Sequence, residues 1–149
     1  MHEVGIEDYL LMDPSIGRWV QIVEKSLEHH DISLTFLTSG STGTPKQCEQ
    51  IFEWIADDAR VIAEQLPSSG RIISLVAPHH IFGFIFSVIL PSMTAREVID
   101  GRVMGPGTLS RQLRAGDTII ATPYLWQYLQ TSLTHFPDGL FGITSTAPM

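Results

Sequence analysis

Between Gly70 and Pro78 the sequence reads RIISLVA, a short apolar run fenced by two residues that break regular structure. Such a run is a buried strand, and a buried strand needs other elements to cover it. The rest of the chain supplies them by alternation. From Ser15 to Glu28, behind Pro14 and a Ser15 cap, Ile16, Trp19, Val20, Val23 and Leu27 recur at helical spacing. In ISLTFLT, Ile32, Leu34 and Phe36 alternate with Ser33 and Thr35, the period of a strand. A second helical stripe runs through Ile51, Ile55, Ala59, Ile62 and Leu66 and stops at Pro67 and Gly70. A short helix is expected over Phe82–Leu90. Further strands are expected at Arg96–Ile99, Thr118–Ala121 and Gly142–Ser145, with helices near Leu109–Leu113 and Pro123–Leu133. Strands interleaved with helices predict an α/β fold, a layered sheet with flanking helices. Asp100 to Gly107, DGRVMGPG, reads as a turn-rich connector within one domain.

Composition limits the partners. With 149 residues, 44% hydrophobic and 17% charged, the chain can bury one core of ordinary size. A formal charge of −7 with scattered basic residues gives no footprint for nucleic acid or an anionic membrane. The start, MHEVGIEDYLLMD, is acidic where a secretory signal is basic, and the apolar run Ile81–Leu90 is far short of the roughly 20 residues that span a bilayer. Cys48 is the one cysteine, so no internal disulfide forms. The reading is a cytoplasmic protein without membrane insertion. The chain stops at TSTAPM, directly after a strand-like run, which reads as a portion of a longer protein.

The densest chemistry lies in TSGSTGTPK, Thr38 to Lys46, with five hydroxyls, two glycines, one proline and one lysine in nine residues. Between a strand and a helix, such a loop gathers backbone N–H groups, hydroxyl donors and the positive end of a helix dipole around one point. Phosphate suits that environment. Gly40 and Gly43 let a ligand approach the backbone; Thr38, Ser39, Ser41, Thr42 and Thr44 supply short donors, and Lys46 a point charge. The usual P-loop is not matched, because Pro45 precedes Lys46 and Gln47 follows it. G-x-G-x-x-G is not matched either. On composition alone, a solvated connection with a helix cap is the more ordinary reading.

The order of residues goes further. LTFLTSGSTGTPK resembles, position by position, the signature loop of the adenylate-forming superfamily: acyl-CoA synthetases, aryl-acid and fatty-acid AMP ligases, peptide-synthetase adenylation domains and luciferases. His80-Ile-Phe-Gly83, within VAPHHIFGFIF, resembles that family's second motif, where a histidine or aromatic residue sits beside the acyl pocket. IIATPYLWQYL resembles the strand and helix after it. GITSTAPM resembles the segment whose small residues border the adenine, with the family's usual glycine replaced around Thr146. The resemblance runs from about Ile32 to the end, and the HHIFGFIFSVILP pattern is most similar to small AMP ligases of aryl polyene and xanthomonadin-type pathways.

The resemblance implies the N-terminal AMP-binding portion, residues 1–149, of a larger α/β domain, without the C-terminal domain that carries a catalytic lysine. It implies ATP and Mg²⁺ as cofactors, a small carboxylic acid, aryl or fatty, as substrate, and CoA or an acyl carrier protein as acceptor. Thr38, Ser39, Gly40, Ser41, Thr42, Gly43, Thr44 and Lys46 would form the phosphate site, Thr146, Ala147 and Pro148 would border the adenine, and Lys46 and His80 would act in catalysis. No metal ligand is expected of this chain. A non-catalytic nucleotide-binding or structural remnant is the alternative.

Other residues carry blander readings. His80 is either a pocket wall near the substrate carboxylate or a partly buried histidine capping the helix that begins at Phe82. His79 and His80 are adjacent, and adjacent side chains point apart, so a zinc site is not expected. Cys48, at what reads as the start of a helix, is placed for a lowered pKa, although a buried structural thiol is simpler. Trp54, Trp126, Tyr124 and Tyr128 fit helix faces packed on the sheet, and Asp57 and Asp58 a solvated helix face.

Overall fold

A computed structural model of the chain describes residues 15–26, 32–38, 46–67 and 69–145. The elements in chain order are α1 (Ile16–Ser26), β1 (Ser33–Thr38), β2 (Lys46–Ile51), α2 (Phe52–Gln65) and β3 (Ile72–Ser74). After them come α3 (Ile81–Phe84), a π-helical segment (Ile85–Ile89), α4 (Leu90–Thr94), β4 (Val98–Asp100), α5 (Pro106–Gln112), β5 (Thr118–Ala121), α6 (Pro123–Ser132) and β6 (Phe141–Thr144). No helix among the described residues is long and apolar enough to cross a membrane.

Strands β3 to β6 form a wholly parallel sheet in the order β4-β3-β5-β6. The expected α/β class holds, and so does RIISLVA as its interior: Ile72, Ile73 and Ser74 are all buried, as is every residue of β5. A parallel strand is covered on both faces, which is why these runs do not alternate. One face packs Ile72, Val76, Leu90 and Ile120 together with Leu66, Phe82 and Phe86. The other packs Ile73, Ile119, Ala121, Leu109, Leu113 and Leu129, the last three from or beside α5 and α6.

A third cluster joins α1, the β1–β2 hairpin, α2 and the helical stretch from Ile81 onward: Trp19, Val23, Leu34, Phe36, Phe52, Ile55, Phe84 and Val88. Of the stripe read from α1, Ile16, Trp19 and Val23 are at most 2% exposed and Val20 is partly buried, while Leu27 lies outside the described residues. Phe84 is its hub, meeting Trp19 and Phe36 edge-on at centroid distances of 6.1 and 5.6 Å.

The helical stretch Ile81–Thr94 runs longer than expected and contains a widened turn. Leu90 donates its N–H to Ile85, five residues back. Pro91, the next residue, has no N–H to give, and a π turn is one way a helix absorbs such a gap without breaking. Residues 87 to 91 are consecutively buried, which the helix tolerates because it lies between the sheet and the hairpin layer. Ala95, left-handed at φ 51°, ends it.

Three expectations are corrected. The segment after the Thr38–Lys46 loop is not the start of a helix: Lys46–Ile51 is a strand, paired antiparallel with β1 from Thr38↔Lys46 to Ser33↔Ile51. KQCEQI carries no apolar alternation, and pairing with β1, whose Leu34 and Phe36 are buried, dictates its conformation. Ile51 therefore closes β2 and is 42% exposed, and the α2 stripe is Phe52, Ile55, Ala56 and Ala59. Cys48 sits in mid-strand opposite Phe36, half-buried and not at a helix start; Gln50 Nε2 donates to its sulfur at 3.2 Å. Of the four aromatic residues expected against the sheet, Trp126 packs there and its Nε1 donates to the Ile143 carbonyl at 3.3 Å. Trp54, Tyr124 and Tyr128 face outward instead, 64%, 76% and 46% exposed.

Candidate functional site

The strand order places the connections. The helical stretch after β3 packs on one face of the sheet, and α5 and α6, after β4 and β5, pack on the other. The chain thus leaves β3 and β5, two hydrogen-bonded neighbours, toward opposite faces. In open parallel sheets this divergence opens a crevice at the carboxyl ends of the two strands, and ligands bind there.

Four turns reach that edge: Ala77–His80 after β3, Gly101 and Arg102 after β4, Thr122–Tyr124 after β5, and Ser145 after β6. The ladder continues to the rim, where Leu75 N–H donates to Ile120 O at 2.9 Å and Gly101 N–H to Ser74 O at 2.8 Å. Thr122 caps α6, its hydroxyl accepting from Leu125 N–H at 3.4 Å.

His80 is exposed at the N-cap position of α3, where its carbonyl accepts from Phe84 N–H at 2.8 Å. Its ring makes no cap bond, so of the two readings the partly buried capping histidine is set aside. Its neighbour departs from expectation: the His79 and His80 rings do not point apart but lie 4.3 Å between centroids. The His79 imidazole is held below its ordinary pKa, first by partial burial, then by His80 and by Arg102 at the end of β4. Arg102 grips Asp100 with two side-chain bonds, Nε to Oδ1 at 2.8 Å and Nη2 to Oδ2 at 2.5 Å. That fork holds the Asp100 carboxyl below its usual range and raises Arg102. At the rim, imidazole and guanidinium groups therefore stand together. Among the described residues no trio of His, Cys, Asp or Glu gathers that could hold a metal ion.

Gly83 makes this turn possible. A Cβ there would lie 2.1 Å from the Ala77 carbonyl oxygen, so only glycine lets α3 sit this close over the turn it follows. The hairpin reaches the same place, because Phe36 in β1 rests on Phe84, in the turn of helix directly after His80.

The loop expected to hold phosphate is anchored between paired ends, Thr38 and Lys46, with Lys46 exposed. Ser39, Gly40, Ser41, Thr42, Gly43 and Thr44 lie outside the described residues, as do Thr146, Ala147 and Pro148. One part of the expected chemistry changes. Because β2 follows the loop, α2 begins only after six residues of strand, on the order of 20 Å away, too far for its dipole to act on a ligand at the loop. The helix-dipole part of the expectation therefore falls away. The sequence does not single out Arg102, Asp100 or Thr122. The Thr-Pro pair before a helical run is the usual sign of a cap and could have marked Thr122; nothing local marks Arg102.

No protein-family model matches the chain. Three curated proteins named 4-coumarate–CoA ligase do. The one from Rhodobacter capsulatus is 34% identical over 161 aligned positions, which take in 100% of this chain and 41% of that protein. The one from Halorhodospira halophila is 37% identical over 149 positions, 100% and 37% of the two chains. The one from Cereibacter sphaeroides is 31% identical over 157 positions, 99% and 38%. The chain thus spans about two-fifths of the length of the curated relatives it matches. A crystal structure of VinN overlays with a TM-score of 0.49 at 20% identity, over 70% of this chain and 28% of that one.

Proposed function

We propose, from its similarity to three 4-coumarate–CoA ligases, that the chain is the N-terminal portion of an AMP-dependent ligase and serves the activation of an aryl carboxylic acid of the 4-coumarate type. The carboxylate oxygen attacks the α-phosphorus of ATP, pyrophosphate leaves, and the acyl adenylate forms. The sulfur of a thiol then attacks the acyl carbonyl and AMP departs. The relatives' names favour CoA as that thiol over a carrier protein.

The observation that carries the reading is similarity at 31–37% identity over essentially the whole chain to three proteins of one name. The rim chemistry supports it. A crevice edged by His79, His80 and the Asp100–Arg102 pair offers polar ring and guanidinium groups to a substrate. In this reading Thr38 to Thr44 and Lys46 hold the β- and γ-phosphates and stabilise the departing pyrophosphate. His80 faces the acid, and Thr146 to Pro148 border the adenine. Mg²⁺ would supply charge neutralisation on the phosphates. The donor set described here gathers no metal site, so the ion would enter with the nucleotide, as Mg²⁺ bound largely through phosphate and water does. ATP and CoA as reactants put the reaction in the cytoplasm.

The test is carboxylate-dependent ATP–pyrophosphate exchange with the longest natural form of the protein. Exchange with 4-coumarate is expected, weakened about 10–100-fold in Lys46→Ala, the loss of one charge-assisted phosphate contact. A folded protein without exchange for any aryl or fatty acid would leave a nucleotide-binding remnant as the better account.

A further inference from the structure

The edge that carries His79 and His80 is tied to the interior by two side chains that the proposed chemistry does not use. Ser74, the last residue of β3, and Ser87, in the middle of the π segment, are both 0% exposed, and their hydroxyl oxygens lie 2.6 Å apart. Around them the core is apolar, with Ile72, Ile73, Val88 and Ile89 at most 1% exposed. A hydroxyl in such surroundings is costly unless its bonds are made.

They are made, and one assignment of the protons satisfies them all. Ser74 Oγ lies 3.2 Å from the Val76 carbonyl, and Val76 N–H points back at the same oxygen from 3.4 Å. Each serine has one proton. Ser74 donates to Val76 O and accepts from Val76 N–H, so all three contacts are satisfied when Ser87 donates to Ser74. The π segment thus holds Ser74, and Ser74 holds both polar backbone groups of Val76.

Val76 is the point where the chain leaves the ladder. Leu75 still bonds across to Ile120, and four residues after Val76 stands His80. The far end of the turn is fixed by the close approach of Gly83 to the Ala77 carbonyl and by His80 N–H donating to that carbonyl at 3.4 Å. The widened turn matters because one extra residue rotates the downstream side chains by about 100° relative to a regular helix, and π turns of this kind recur at functional sites.

We propose that Ser74 and Ser87 are positioning residues, a buried hydroxyl relay that sets the Val76–His80 turn and with it the place of the two imidazole rings at the crevice. This rests on the reading that His80 faces the substrate acid.

The test compares wild type, Ser87→Ala and Ser87→Cys, the last keeping volume and a weak donor. Two readouts are taken: the imidazole resonances of His79 and His80 in the folded 149-residue chain, and KM and kcat of acid-dependent exchange in the longest natural form. Ser87→Ala is expected to move both sets of resonances and to raise KM for the acid about 3–10-fold while KM for ATP stays unchanged, with Ser87→Cys between it and wild type. Unmoved resonances and an unmoved acid KM in folded Ser87→Ala would overturn the proposal and leave the pair a packing feature. Should Ser87→Ala fail to fold, Ser87→Cys is judged by the same criteria. If no variant, wild type included, supports exchange, the acid-activation reading falls while the resonances still decide the positioning role.

Discussion

The two ends of the parallel sheet are built from the same strands and could hardly differ more. At the amino end, Arg71 before β3 and Asp117 before β5 form a buried pair with side chains 10% and 2% exposed. Nε meets Oδ1 at 3.0 Å and Nη2 meets Oδ2 at 2.7 Å. Two further bonds hold the pair: Arg71 Nη2 donates to Gln112 O at 2.6 Å, and Arg114 N–H to Asp117 Oδ2 at 2.8 Å. Arg96 closes the margin through Gly70 O at 2.8 Å and Thr118 Oγ1 at 2.9 Å. Gly70, at φ 99°, passes so close to Gly116 that a Cβ would lie 1.9 Å from its carbonyl oxygen. At the carboxyl end, by contrast, His79, His80 and Tyr124 are exposed. One edge uses its polar groups to lock strands together; the other presents them to whatever enters the crevice. Burial separates a structural charge from an accessible one more cleanly than residue type does.

That contrast can be broken most directly at Asp117. Asp117→Ala leaves the Arg71 guanidinium buried without its carboxylate and is expected to cost about 3–5 kcal/mol, read by urea or thermal unfolding; a loss below about 1 kcal/mol would make the amino edge no firmer than the other. Gly83→Ala comes next, at about 2 kcal/mol from the overlap with Ala77. It acts at the carboxyl edge, so exchange activity should fall by more than the stability loss explains. The smallest effect is an acid slope. Burial alone would raise the Asp117 carboxyl, but the bonds from Arg71 and Arg114 outweigh it and hold the group below its usual value. A depressed carboxyl stabilises the fold above its unfolded pKa near 4, and that contribution is lost as pH falls through the folded value. Unfolding curves from pH 6 to pH 2 should therefore show a steeper loss in wild type than in Asp117→Asn, by up to about 1 kcal/mol per pH unit.

Much of the fold is legible because the relevant physics is local. Thr118–Ala121 is expected as a strand and is one, with all four residues buried. The stripe Ile16, Trp19 and Val23 needs only helical spacing. β2 escapes because KQCEQI has no pattern of its own, and its conformation comes from β1 across the hairpin. Trp54 and Tyr124 mislead because an aromatic side chain on a helix reads as core, whereas these two project outward. At the rim, His80 is marked in the sequence by its motif resemblance. The contact of His79 with His80 and the approach of Arg102 depend on a tight turn and a neighbouring strand, and the Ser74–Ser87 contact on a widened helical turn. No spacing rule encodes these.

The pairing of β3 with β5 also sets a clock for a newborn chain. Arg71 and Asp117 are 46 residues apart, so the central partners of the sheet cannot meet until everything between them has left the ribosome. At about 5–20 residues per second that takes roughly 2–9 s. Throughout this interval the apolar run RIISLVA keeps at least one backbone edge bare. Nascent chains are thus most exposed to mispairing and to chaperone capture in the window that closes when TIIA emerges and the Arg71–Asp117 clasp can snap shut.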